Sequence, residues 1–218
     1  MQVITDIGQA VIRAGGREIF LNPSFLAMSR IGAPEDIVRL FVTVHAGHYP
    51  MHRISEPAIM RDVLARCFAE MAAAAARVVT ACCTENISHL IGTYQITTKG
   101  KLSYRPGLLP VTDVLELARH LIRHGVMGDQ PPEQLKGQKK EYSSKFDVRS
   151  FVYTAVAHLG MSEADAWSMT MSSFRAAMHA KFPAQEKDKI PTEEAYDEVM
   201  DWADKMVELD AQRLQTAL

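Results

Sequence analysis

The sequence predicts an α+β fold that is mainly α-helical, with an N-terminal β-hairpin and helices followed by an all-helical C-terminal part. Two short β-type runs flank Ala14-Gly15-Gly16 near the N-terminus. Beyond them, apolar residues recur at three- and four-residue spacing between helix start and stop signals. One polar stretch, rich in lysine and containing Pro-Pro, interrupts that pattern.

The β-type runs cover Gln9 to Arg13 and Glu18 to Leu21, and the two glycines between them supply the positive-φ positions of a tight turn. Asn22-Pro23-Ser24 breaks the second strand, and "SFLAMSRIG" reads as a short helix capped by Ser24 and closed by Gly32. "APEDIVRLFVTVHAG" reads as a second helix, with Pro34 and two acids in its first turn and Gly47 beyond its end. Ser55-Glu56-Pro57 opens a long helix whose stripe is Ile59, Val63, Cys67, Met71, Val78 and Cys82, and its alanine run from 72 to 76 permits close helix contact. "GTYQITTKGKLSYRPG" is a strand-like insertion with Lys99-Gly100 as its turn. "PVTDVLELARHLIRHG" is a helix with Thr112 as cap and Gly125 as terminator.

"MGDQPPEQLKGQKKEYSSK" is polar and reads as an exposed connection. It divides the chain into an α+β N-terminal domain (1–128), a linker (129–145) and a helical C-terminal region (146–218). In that region Gly160 stops a helix, Ser162 with Asp165 makes a capping box, and Thr170 caps the next helix. Phe174, Met178 and Phe182 then fall on adjacent turns, with Trp167, Met169 and Met171 around the corner before them.

With 218 residues, 47% of them hydrophobic, the chain can bury a sizeable core. The net charge of −2 gives no electrostatic reason to bind nucleic acid or an anionic membrane. No apolar run reaches the roughly 18 residues of a spanning helix. The opening "MQVITDIGQAVIRAGG" lacks the basic head and apolar centre of a signal peptide, so a cytoplasmic protein is expected. Cys67, Cys82 and Cys83 form no Cys-x-x-Cys pair and read as reduced, buried thiols.

Phosphate-binding loops, dinucleotide fingerprints, nucleophile elbows and His-Glu-x-x-His are all missing. His45, His48 and His52 are close enough in sequence to converge, but no acid or thiolate adjoins them. Glu116, His120 and His124 share a helical face, yet histidines near a helix C-terminus are already favoured by the macrodipole. Cys82-Cys83 beside Glu85 and His89 has no evident cationic activator. The expectation is therefore a protein that is not an enzyme and carries no cofactor or catalytic metal.

Twelve methionines, six of them after position 160, suit a face that must adapt to variable apolar segments. The segment 191–214 reads as an amphipathic helix with Tyr196, Val199, Met200, Ala203, Met206, Val207 and Leu214 on one stripe. Seven acids against one lysine lie between Glu193 and Glu208, and Trp202 falls at the edge of the stripe. Trp167, Met171, Phe174, Met178, Trp202 and Met206 are accordingly the candidate partner-binding residues, a grip for an amphipathic helix.

"HLGMSEADAWSMTMSSFRAAMHAKFP" followed by "PTEEAYDEVMDWADKM", together with "IFLNPSFLAMSRIGAPEDIVRLF", "HLIGTYQ" and "ARHLIRHGVMG", resembles the tailed-phage tail assembly chaperones and the largely uncharacterised phage proteins associated with them. The resemblance implies a protein of the host cytoplasm that binds and solubilises the tape measure protein and helps recruit tail tube subunits. A structural minor tail or tail completion protein of the virion is the alternative it allows. Homo-oligomerisation is left open.

Overall fold

The computed structural model describes residues 2–3, 6–47, 56–96, 102–129 and 144–183. Strands β1 (Gln2–Val3), β2 (Ala10–Ala14) and β3 (Arg17–Leu21) form an antiparallel sheet in that order. The expected hairpin is present: Ala14 opposes Arg17, and Gly15 and Gly16 take φ of 57° and 76°, the turn conformation that side chains resist. Ala10 opposes Leu21 and Ile12 opposes Ile19, so one face of the hairpin carries all four buried side chains.

Helices α1 (Phe25–Ile31), α2 (Pro34–Ala46) and α3 (Pro57–Ala81) follow. Ser24 caps α1 as expected, its hydroxyl accepting from the Ala27 N–H at 3.2 Å. The expected stripe of α3 holds from Cys67 onward, but Ile59 is 49% exposed and Val63 only partly covered. Among the described residues the first turns of α3 run beyond the core and meet no covering element; Leu64 and Phe68 are exposed too. Next come α4 (Ser88–Ile91) and the two-stranded sheet β4 (Thr93–Ile96) and β5 (Leu102–Arg105); the expected turn at Lys99-Gly100 lies outside the described residues.

Helix α5 (Val111–Val126) packs chiefly on α3, and the small alanines of α3 allow the approach. Its ends differ from expectation. Pro110, at φ −59°, precedes the first turn, and Thr112 lies inside that turn, its hydroxyl donating to Asp113 rather than capping. Gly125 does not end the helix but lies buried within it. A Cβ there would meet Met28 Sδ at 2.7 Å and the Pro23 carbonyl oxygen at 3.1 Å, so the missing side chain is what lets α1 seat on α5. The chain leaves α5 through Met127 and Gly128.

Helices α6 (Val148–Leu159), α7 (Glu163–Ser168) and α8 (Met171–Lys181) complete the compact unit. The expected caps are in place: Ser162 and Asp165 exchange hydrogen bonds of 3.2 and 2.6 Å, and Thr170 accepts from the Ser173 N–H at 3.1 Å. Most of the expected connection at 129–145 lies outside the described residues, and it does not separate two cores. One hydrophobic cluster runs from Ala10 to Phe174, and the compact unit extends to Lys181. Residues on both sides of it share that cluster, so polar composition by itself does not mark a domain edge. Residues 182–218 form a second unit, of which 182 and 183 are described. Among the described residues no helix is long and apolar enough to cross a membrane.

Phe25, fully buried, stacks on Phe151 with ring centroids 5.9 Å apart and meets Phe174 edge-on at 5.8 Å. The Phe25→Ala variant should lose about 3–5 kcal/mol of stability. Urea unfolding followed by circular dichroism should still show one transition for residues 1–181. Two separable transitions in the parent protein would show that the helices on either side of 129–145 unfold independently.

Candidate functional site

A groove of about 660 Å³ opens where α1 and α2 meet the segment leading into α6, and Trp167 of α7 forms one wall. Pro34 and Ile37 of α2, with Phe146 and Val148 at the start of α6, supply the apolar lining. Local forces place each wall. The Phe146 N–H donates to the Pro34 carbonyl at 3.0 Å, drawing the re-entering chain onto the start of α2. Lys145 pairs with Glu35 at 3.0 Å and holds that carboxyl below the usual range. Asp147 accepts from the Arg149 N–H at 3.1 Å and so starts α6. Trp167 is half-buried, packed against the core, and its Nε1 donates to Glu163 one turn earlier at 3.2 Å.

The polar groups of the groove are Ser29, whose hydroxyl donates to the Leu26 carbonyl at 2.8 Å, Asp147 and Arg149. The lining contains no thiol, imidazole or pair of carboxylates, and its exposed surface is mixed, with Trp167 and Pro34 beside the polar Ser29, Asp147 and Arg149.

Trp167 is thus the expected grip residue that does line an open surface. Met171 and Phe174, 1% and 7% exposed, are instead part of the protein's own core and offer no free surface. The reason is that α8 directs them toward α1 and α6, where Phe174 completes a cluster with Phe25 and Phe151. Met178 packs partly buried against the same core. Trp202 and Met206, with the helix expected over 191–214, lie outside the described residues. Pro34, Ile37 and Phe146 carried no local signal, because their meeting depends on chain return across more than a hundred residues.

His45 is exposed, stacks on Phe41 with centroids 4.3 Å apart and places Nδ1 3.0 Å from the Phe41 carbonyl; His48 and His52 lie outside the described residues. Cys67, Cys82 and Cys83 are buried and form no disulfide, and burial, with Cys83 adjacent, pushes the Cys82 thiol up. Among the described residues no three His, Cys, Asp or Glu side chains are grouped to hold a metal ion.

Glu116, His120 and His124 do not act together. Glu116 turns to Arg119 at 2.6 Å, while His124 is buried with Nδ1 2.7 Å from the Ser172 hydroxyl of α8. His120 lies beside it, centroids 4.6 Å apart, with Nε2 hidden from water and without a hydrogen-bond partner among the described residues. Burial lowers the pKa of both, and the mutual charge of the pair lowers His120 further. The Gly8 backbone and Asp129 oppose that shift at His120, Arg123 adds to it, and at His124 Asp129 opposes and Arg123 reinforces.

The chain belongs to DUF6246, a family of unknown function whose model matches residues 21–198, a span that contains the whole lining of the Trp167 groove. No curated protein and no solved structure matches it.

The half-buried His120 and the buried His124 have folded-state pKa values below their unfolded ones, so the unfolded chain binds more protons near the ordinary value of about 6.5. Their contribution to stability is therefore held above about pH 6.5 and lost as pH falls below it. Urea midpoints measured from about pH 7.5 down to about pH 5 should decline. The double variant His120→Gln, His124→Gln should flatten that decline, and an unchanged slope would place its origin elsewhere.

Proposed function

We propose that this DUF6246 protein is an assembly chaperone of phage tails that binds the tape measure protein, keeps it soluble and helps recruit tail tube subunits. The observation that carries the reading is the groove between α1, α2 and α7. It sets the half-buried Trp167 and Pro34 in an open surface rimmed by Arg149 and Asp147, over a floor of the buried Ile37, Phe146 and Val148. A tryptophan already packed on one side loses little side-chain entropy when a partner covers the other, and such residues dominate binding energy. An apolar stripe of an amphipathic helix is the kind of segment such a groove accommodates. The long helical tape measure protein implied by the resemblance would expose such stripes before the tube closes around it.

Co-expression with the tape measure protein tests this directly. The intact chain should carry it into the soluble fraction. Trp167→Ala should weaken binding at least about tenfold, as loss of a central aromatic anchor does, with circular dichroism and melting close to the parent. Undiminished solubilisation by that variant would sink the reading. Recovery of the chain in fixed ratio from purified virions would identify a structural tail component instead.

A further inference from the structure

A second groove, of about 540 Å³, lies between α3 and β4 and is separate from the one at Trp167. Its floor is a face of α3 made by Ala73, Ala76 and Thr80, whose short side chains leave the helix surface low. Its opposite wall is β4 itself. Among the described residues β4 pairs with β5 alone, so alternate residues of Thr93–Gln95 direct their N–H and C=O groups away from that two-stranded sheet. None of those three residues has another backbone partner among the described residues. An unpaired strand edge of this kind is a template for another strand.

The charge of the groove is one-sided. Arg30 of α1 and Arg77 of α3 both line it, and no Asp or Glu does. Arg77 donates from Nη2 to the Ile31 carbonyl at 3.0 Å, which fixes the guanidinium while leaving its other N–H groups to act. Among the described residues neither arginine has a carboxylate in ion-pair contact. Asp36 and Glu70 line an adjoining depression that shares Ala73 and Arg77 with this groove, and there Asp36 meets Arg39 at 3.4 Å.

We propose that this groove binds an extended acidic segment of a partner polypeptide, adding it as a strand to the outer edge of β4 while Arg30 and Arg77 take its carboxylates. Backbone pairing supplies the hold, and the two guanidiniums select for acid at alternate positions. The exposed length of β4 suits about four residues, at about 3.3 Å each. A nucleic acid fits less well, because two arginines neutralise few phosphates and the chain as a whole carries a net charge of −2.

Fluorescence anisotropy with the full chain tests the proposal. The probes are a short labelled peptide alternating Glu with Thr, its Lys-for-Glu counterpart, and the acidic peptide N-methylated on alternate amides. The acidic peptide should bind saturably and the basic one should not. Binding should weaken at least about tenfold with Arg30→Glu and with the N-methylated peptide. Arg77→Gln, which keeps a donor for the Ile31 carbonyl, should also weaken it. The same charge reversal at Arg17, on the hairpin, should have no effect. Circular dichroism should report every variant folded; if Arg30→Glu is not, Arg30→Gln takes its place. Absence of binding at about 1 mM peptide, equal affinity of the Arg30 and Arg17 variants, or indifference to N-methylation would overturn the proposal.

Discussion

Between Leu21 and Phe25 the chain is tied to two distant parts of the sequence. The Asn22 N–H donates to the Cys82 carbonyl at 2.9 Å, its side-chain Nδ2 to the Ser168 carbonyl at 3.1 Å, and the Phe25 N–H to the Met169 carbonyl at 2.8 Å. Ser24 also forms an isolated antiparallel bridge with Thr170. Here the chain has left a strand and not yet entered a helix, so its buried peptide groups have no partners of their own. Each would cost about 1–3 kcal/mol if left unpaired. The exit of α3 and the corner between α7 and α8 supply those partners, and Pro23 needs none for its nitrogen. That requirement brings the end of the hairpin, the start of α1, the end of α3 and the α7–α8 corner to one place.

The apolar packing follows from that meeting. Phe25, the first residue of α1, is carried directly against Phe151 and Phe174, and Phe146 extends the aromatic cluster with its ring 5.2 Å from Phe151. The Trp167 groove inherits its shape from the same tie. Trp167 immediately precedes the pinned residues 168–170, and its facing wall at Phe146 is drawn in by the Pro34 carbonyl. The groove therefore needs no dedicated scaffold, because both walls are by-products of contacts the core already makes. The exposed Lys145–Glu35 pair adds little to this, since surface ion pairs contribute on the order of 1 kcal/mol or less.

Features governed by near neighbours in sequence were legible from the residues alone. The hairpin turn and the caps at Ser24, Ser162 and Thr170 depend on a few adjacent side chains, and each is where the local pattern places it. The limits of α5 were not, because Gly125 serves contact with Met28 and Pro23, which lie about a hundred positions away. The same distance hid the partners of Trp167. A tryptophan beside a capped short helix is visible in sequence, whereas the proline, isoleucine and phenylalanine that make a groove of its surroundings become neighbours only in the fold.

The methionines show how composition can point to the right region for a different reason. Of the six after position 160, the four within the described residues are Met161, Met169, Met171 and Met178, and all are in the core or packed against it. They fill the angle between short helices, where straight, flexible side chains accommodate an irregular gap better than branched ones do. Met28 does the same against Gly125. Softness here serves internal packing, and the apolar surface the groove leaves open falls to the stiffer Trp167 and Pro34, over the buried Ile37 and Phe146. A rigid aromatic and proline-lined wall gives up less conformational entropy on binding than a methionine face would. It also adapts less, so one shape of apolar segment would suit the proposed site better than many unrelated ones.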